Sequence, residues 1–380
     1  MRTGRASAIR TTSIVGARPQ FVKLSPVCRA MRQARLTISD QIVHTGQHYD
    51  DAMSSIFFEE LDIPAPAVNL GIGSASQGQQ TARMLESIEA YLQEHRPDLV
   101  LVYGDTNSTL AGALAAAKMH IPVAHVEAGL RSFNRRMPEE LNRIVTDHLS
   151  QILFAPTATA MDNLNAEGLR ERALLTGDVM YDAVLVNAGR ARERSKILRT
   201  LGITPGAYGV ATIHRAENTE VQPLRTLLYA INQAAARFGT IILPLHPRTA
   251  AVLQSQLADW RPEANLQLIK PVGYGDMLAL VQGARWVLTD SGGLQKEAYF
   301  LGCPCVTLRD ETEWLETLSA GANVIGGRDG AHLGEALEQL SRLPARTFDR
   351  LPDAKEGPFG GGQAAGRIVE AICDLCESAT

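Results

Sequence analysis

The sequence has 380 residues, 45% hydrophobic and 21% charged, with a net charge of −4 at neutral pH. That length predicts two domains. A slightly acidic balance with only 5% aromatic residues lacks the basic face and stacking rings that nucleic-acid binding uses, and no apolar run reaches the roughly 18 residues of a membrane span.

Residues 1–12 carry three arginines with no apolar stretch behind them, so an extension is expected rather than a targeting signal. Short apolar runs then appear at residues 8–15, 41–45, 99–103, 123–126, 152–155 and 173–176. Between them, residues 81–94, 106–118, 140–149 and 157–167 have helical spacing. A second series of runs, at 209–213, 241–245, 265–269, 285–288 and 305–308, follows, with a helical pattern over 223–238. Strand–helix alternation of this kind predicts an α/β fold with parallel sheets covered on both faces. The charged stretch 187–206 separates the two series. The expected domains are therefore 1–190 and 191–358, with residues 359–380, after the breaker Pro358-Phe359-Gly360-Gly361-Gly362-Gln363, forming a helix that crosses back to the first domain.

Five cysteines form no disulfide pattern. Cys303 and Cys305, and Cys373 and Cys376, lack a second pair at zinc spacing and read as small apolar residues, which fits a reducing cytoplasm.

Ligands of doubly wound sheets bind beyond the carboxyl ends of the strands, so the residues after each run are the candidates. After 8–15 come Gly16-Ala17-Arg18-Pro19-Gln20 and then Lys23. Two cations at a helix start are unfavourable without an anion, and Arg18 and Lys23 are read as a diphosphate clamp. After 41–45 comes the polar turn Gly46-Gln47-His48-Tyr49-Asp50. After 99–103 comes Gly104-Asp105-Thr106, in which Asp105 is either a helix cap or a working carboxylate. Glu127 follows a buried strand directly, where an unpaired carboxylate would be costly. With Glu139 at the start of the next helical stretch, three carboxylates converge on one sheet edge, as acid/base chemistry requires. In the second series, 209–213 ends in His214, 241–245 in His246, and 305–308 in Arg309. The run 285–288 leads into Asp290-Ser291-Gly292-Gly293 and a helix carrying Glu297. A helix start with two glycines presents bare amides to a phosphate, although an ordinary serine cap would look the same. No P-loop, dinucleotide fingerprint, HExxH, EF-hand or G-x-S-x-G pattern is present.

The motifs Gly16-Ala17-Arg18-Pro19-Gln20, His44-Thr45-Gly46-Gln47-His48, Gly104-Asp105-Thr106, His125-Val126-Glu127-Ala128-Gly129-Leu130-Arg131, Met137-Pro138-Glu139-Glu140-Leu141-Asn142-Arg143, His214-Arg215-Ala216-Glu217-Asn218 and Asp290-Ser291-Gly292-Gly293 occur in that order. Together they resemble the non-hydrolysing UDP-N-acetylglucosamine 2-epimerases, over about residues 12 to 370. The resemblance implies a GT-B architecture of two Rossmann-like doubly wound domains with an interdomain cleft, usually as a homodimer. It implies interconversion of UDP-GlcNAc and UDP-ManNAc. In that scheme the C2 proton is removed and UDP expelled, giving 2-acetamidoglucal, and the proton returns on the opposite face. Neither metal nor nicotinamide cofactor takes part. Capsule, lipopolysaccharide or another cell-surface glycan is the expected destination.

By resemblance, Asp105 and Glu139 are acid/base groups, Glu127 contacts the sugar or handles a proton, and His214 serves catalysis. Arg18, Lys23, Arg143, Ser291, Gly292, Gly293, Glu297 and Arg309 bind the UDP-sugar. Gln47, His48 and His246 match an allosteric site, although Asp50 stands near the place where regulated members carry glutamine. Gln20 replaces the glutamate of many members, and Ala216 replaces an arginine. Some of the variant residues also resemble the branch acting on UDP-2,3-diacetamido-2,3-dideoxyglucuronate, whose extra carboxylate would suit Arg131, Arg135 and Arg136. A GT-B glycosyltransferase and a non-catalytic sugar-nucleotide sensor are the more distant alternatives.

Overall fold

The computed structural model describes residues 8–47, 57–342 and 357–378. Two sheets carry the fold. The first runs in the order β3-β2-β1-β4-β5-β6-β7. Its strands are β1 (Ile9–Val15), β2 (Ile38–His44), β3 (Val68–Asn69), β4 (Leu99–Tyr103), β5 (Val123–Val126), β6 (Ile152–Ala155) and β7 (Ala173–Leu175). The second runs β10-β9-β8-β11-β12-β13. Its strands are β8 (Tyr208–Thr212), β9 (Thr240–Pro244), β10 (Leu266–Ile269), β11 (Val287–Thr289), β12 (Cys305–Thr307) and β13 (Asn323–Ile325). Every neighbouring pair is parallel.

The sequence dictates this arrangement strand by strand. All five side chains of β4, Leu-Val-Leu-Val-Tyr, are buried, as a central parallel strand with helices on both faces requires. Ile14, Val43, Val100, Val102, Met84 and Ile88 close one core of the first unit. Ile213, Leu224, Leu227, Leu243, Trp286 and Leu288 belong to one core of the second. The edge strands β3 and β13 have only two and three residues. Too short to show alternation, they are absent from the expected runs.

The chain forms two compact units. The first takes the chain up to Ala183 together with the segment from Ala354 onward, and the second runs from Val184 to Asp353. Each is doubly wound: the strand order reverses between β1 and β4 in the first and between β8 and β11 in the second. A crevice for ligand opens beyond the carboxyl ends at such a reversal. The residues at these two places are Gly16 to Arg18 with Gly104 and Asp105, and His214 with Asp290 and Ser291.

The helix Ala364–Ser378 packs on the helix Arg18–Arg32 within the first unit. Arg35 pairs with Asp374 at 2.6 Å and also with Glu377. The five cysteines are free. Among the described residues no helix is long and apolar enough to cross a membrane, and no cluster of three or more His, Cys, Asp or Glu could hold a metal ion.

Asp182 fixes the start of that last helix. Its carboxylate accepts from the amides of Ala364 at 3.2 Å and Ala365 at 2.8 Å. Burial pushes its pKa from 3.8 up to about 6, against the lowering effect of those two bonds. A carboxyl whose pKa is raised by folding binds its proton more tightly in the folded chain. Its stabilising share is therefore present at low pH and is lost as pH rises through about 6. Urea unfolding of the wild type and Asp182→Asn near pH 4.5 and near pH 7.5 reads this directly. The wild type is expected to lose about 2 kcal/mol more than the variant between the two conditions. Equal pH dependence in the two proteins would refute the assignment.

Candidate active site

In the first unit, the turn after β1 is held by Gln20, which is fully buried. Its side-chain oxygen accepts from the amides of Gly16 at 2.8 Å and Ala17 at 3.0 Å. Its amide group donates to the carbonyl of Tyr103 at 2.9 Å and to Thr109 Oγ1 at 3.0 Å. A glutamine can do both because it owns an acceptor and a donor, whereas an ionised glutamate could only accept. Gln20 thus ties the ends of β1 and β4 together at the reversal point. Arg18, in the first turn of the helix, lays its guanidinium over the ring of Phe57 at 4.7 Å. Stacking occupies the face of that group and not its N–H edge.

Lys23, expected to meet a diphosphate, lies instead in a buried ion pair. Its Nζ stands 2.7 Å from Glu127 Oε1, and the two side chains are 7% and 5% exposed. This pair answers the cost of placing Glu127 at the end of a buried strand. Glu127 has φ of +73°, a left-handed conformation costly for a residue with a side chain. Its amide and that of Ala128 both donate to the carbonyl of Phe154, at 3.2 and 3.0 Å. Lys23 also lies against Gly104, where a Cβ would come within 2.9 Å of Nζ and where φ is +64°. Glycine is required there on both counts.

Asp105 does not cap the next helix. Thr106 does, its side chain accepting from the amide of Thr109. Asp105 is instead held by Arg143, whose Nε stands 3.1 Å from Oδ2. Arg143 is buried and reaches Glu140 Oε2 at 3.2 Å with its other arm. Glu140 accepts from the amide and hydroxyl of Ser132 at 2.8 and 3.0 Å and from the amide of Phe133 at 2.9 Å. One chain of contacts, buried at its middle, therefore runs from Asp105 through Arg143 and Glu140 to the loop at 132–133. Glu139 is half-buried in the first turn of the helix Pro138–Leu149, where the helix dipole favours a carboxylate.

Arg131 is committed inward. It meets Asp147 at 2.8 Å and forks onto Glu167 with two bonds of 2.7 Å. This corrects the expectation that it would receive a substrate carboxylate; Arg135 and Arg136 are the exposed arginines of that loop. Gln47 accepts from the hydroxyl of Ser108 at 2.7 Å and from its amide at 3.2 Å. It therefore pins the start of the helix Asn107–Lys118. His48 lies outside the described residues.

In the second unit, Asp290 organises the reversal point. It is fully buried. Its carboxylate accepts from the amides of His214 and Arg215, each at 3.0 Å, and from Asn218 Nδ2 at 3.0 Å. These bonds fold the turn after β8 onto the end of β11. The His214 ring is 37% exposed, 4.0 Å from Asp290 and edge-on to His246 with centroids 5.7 Å apart.

Ser291 caps the helix Gly292–Phe300 through the amide of Leu294. The amides of Gly292 and Gly293 open the helix, the arrangement that receives phosphate. A Cβ on Gly292 would come within 2.7 Å of Glu313 Oε1. Glu313 in turn holds Arg309 at 2.9 Å. Lys296, buried in the same helix, sits 3.9 Å over the Trp314 ring. Glu297 is buried beside Tyr274; burial first, and then that carboxylate, pushes the Tyr274 phenol well above its ordinary value.

Gln20, Glu140, Asp147 and Glu313 are contributors that motif reading did not single out for a role. The available signal was a polar residue inside an apolar pattern, as with His125 in the strand Val-Ala-His-Val.

A family model described as UDP-N-acetylglucosamine 2-epimerase matches residues 29–373. A Methanococcus maripaludis protein described as a UDP-N-acetylglucosamine 2-epimerase homolog is 48% identical, over 97% of this chain and 100% of its own. A UDP-2,3-diacetamido-2,3-dideoxy-D-glucuronate 2-epimerase of Pseudomonas aeruginosa is 46% identical, again over 97% and 100%. The crystal structure of Methanocaldococcus jannaschii UDP-GlcNAc 2-epimerase in complex with UDP-GlcNAc and UDP superposes with a TM-score of 0.89 at 41% identity, covering 96% of this chain and 100% of that one. Sequence motifs, two doubly wound sheets and relatives along nearly the whole chain agree, and the chain belongs to the UDP-N-acetylglucosamine 2-epimerase family, whose members are isomerases.

Proposed function

We propose that the chain inverts C2 of UDP-GlcNAc, interconverting it with UDP-ManNAc by elimination and re-addition of UDP. The single observation that carries this reading is the edge where β4 and β5 end. Two carboxylates stand there, Asp105 and Glu127, each paired with its own buried cation, Arg143 and Lys23. Glu139 lies on the same helix as Arg143.

The chemistry needs such groups. The C2 proton is weakly acidic, so its removal must be coupled to departure of the diphosphate. A carboxylate takes that proton, the C2–H electrons become the C1–C2 double bond, and the C1–O pair leaves with UDP. The return step delivers a proton to the other face of C2, and a UDP oxygen closes again on C1. Asp105 and Glu139 are assigned the two proton transfers, and Glu127 the sugar contact. His214, Arg18, Arg309 and the amides of Gly292 and Gly293 are assigned the growing charge on UDP, and Ser291 and Glu297 the binding of the nucleotide. A homodimer is the proposed assembly.

A second reading is the same inversion on UDP-2,3-diacetamido-2,3-dideoxyglucuronate. It is favoured by the 46% identical relative of that name and by exposed Arg135 and Arg136.

Incubation of the protein in deuterium oxide with each sugar nucleotide in turn, followed by proton NMR, tests both. Loss of the C2 proton signal is expected with UDP-GlcNAc; exchange on the diacetamido uronate alone would transfer the function to the second reading. No exchange on either would overturn epimerisation. Asp105→Asn is expected to lower turnover at least about 100-fold while UDP affinity, read by calorimetry, stays within about 3-fold of wild type. Equal loss of both would remove Asp105 from proton transfer. Asp290→Ala strands three donors, the buried Asn218 amide among them, and is expected to weaken UDP binding about 10-fold or more; unchanged affinity would detach the second unit's turn from nucleotide binding.

A further inference from the structure

His125 is fully buried in the middle of β5. Its Nε2 stands 2.7 Å from the carbonyl of Gly104, and its Nδ1 stands 2.7 Å from Asp147 Oδ1. A carbonyl can only accept, so Nε2 carries a proton. Asp147 accepts on its other oxygen from the amide of Gly129 at 3.1 Å and from Arg131 at 2.8 Å. Burial alone would push the Asp147 carboxyl up, but the bonds and charges of His125 and Arg131 outweigh it and hold the pKa below its ordinary value. An ionised carboxylate is also only an acceptor, so Nδ1 carries a proton as well. The ring then has two N–H groups and a positive charge.

That charge completes an alternating buried series. His125 meets Asp147, Asp147 meets Arg131, and Arg131 meets Glu167. Glu167 also takes His148 at 3.3 Å near the surface. The other charged groups next to these turns are already paired: Asp105 with Arg143 and Glu127 with Lys23.

The two bonds of the ring land next to both candidate carboxylates. Gly104 directly precedes Asp105. Glu127 lies two residues beyond His125 and two before Gly129, the residue whose amide Asp147 holds. We propose that His125 is a positioning residue, held as an imidazolium, that fixes the turn carrying Asp105 and the turn carrying Glu127 relative to each other. It touches no substrate. It acts through the orientation of the Gly104 carbonyl and the Asp147 carboxylate. A neutral imidazole could satisfy one of the two acceptors and not the other.

The role in turnover rests on the epimerase reading, whereas the protonation state does not, so the two are read separately. Ring nitrogen NMR of the full chain with labelled histidine, with His125 assigned by its disappearance in His125→Asn, is expected to show both nitrogens as N–H in the folded protein under assay conditions. In Asp147→Asn one nitrogen of the same ring is expected to be bare under those conditions. A bare ring nitrogen in the wild type would overturn the imidazolium without recourse to any variant. In the C2 exchange assay, run well below the melting temperature of each protein, His125→Asn is expected to lower kcat at least 10-fold with KM changed less than 3-fold. Unchanged kcat, or a fall in kcat no larger than the fall in folded fraction read by circular dichroism at the assay temperature, would overturn the positioning role. A wild type that exchanges no C2 proton would count against the epimerase reading, and the nitrogen spectra would still decide the bridge.

Discussion

Buried charge is the constraint around which the carboxyl edge of the first sheet is built. A carboxylate withdrawn from water keeps its charge only if a cation or several donors stand where water stood. Glu127 has Lys23, Asp105 has Arg143, and Asp147 has His125 and Arg131. Removing one member leaves its partner uncompensated, which costs about 3–5 kcal/mol in buried pairs. The edge is therefore stiff for an electrostatic reason as much as a packing one, and stiffness is what proton transfer to one carbon requires.

The second unit meets the same constraint by other means. Asp290 is surrounded by neutral donors, the amides of His214 and Arg215 and the side chain of Asn218. Among the described residues no lysine or arginine side chain pairs with its carboxylate, and the His214 ring stands 4.0 Å away; the helix start at Gly292 keeps its positive end directed outward from the sheet. The Arg309–Glu313 pair closes the side of that helix start, and it can approach so near only because residue 292 has no Cβ. One unit thus stabilises carboxylates with cations, while the other uses a carboxylate to shape a turn rich in donors. On the proposed reading, a diphosphate and a proton acceptor call for opposite electrostatics, and the two turns differ in that sense.

Most of the sheet framework was legible in the sequence because central parallel strands are unbroken apolar runs, and β4, β5 and β6 match their expected ranges. The strand ends were legible for the same reason: the polar turns begin where the apolar run stops. What escaped was pairing. Nothing in the local pattern around Lys23 says that its partner is Glu127, because that contact is made by the sheet order and not by the chain. Asp105 and Thr106 compete for one helix cap, and both are good caps. The choice falls to Thr106 because Arg143, from a distant helix, claims the aspartate. Arg131 reads, with Arg135 and Arg136, as suited to a sugar carboxylate, yet Asp147 and Glu167 draw it inward.

That inward turn of Arg131 bears on substrate choice. The loop at 132–133 hangs from Glu140, and Glu140 shares Arg143 with Asp105. Phe133 holds φ of +58° there and is 76% exposed, a strained backbone that the Glu140 bond to its amide helps to hold. Any change that loosens residues 132–133 therefore reaches Asp105 through the two contacts of Arg143. Residues 135 and 136 lie beyond this coupling and are exposed. On the second proposed reading, recognition of an added substituent on the sugar would fall to the exposed Arg135 and Arg136. It would not fall to Arg131, because that guanidinium is part of the charge series that holds both turns. A sugar carboxylate would accordingly have to find its cation among the exposed pair, and the framework that positions the proton-transfer groups would be the same for either substrate.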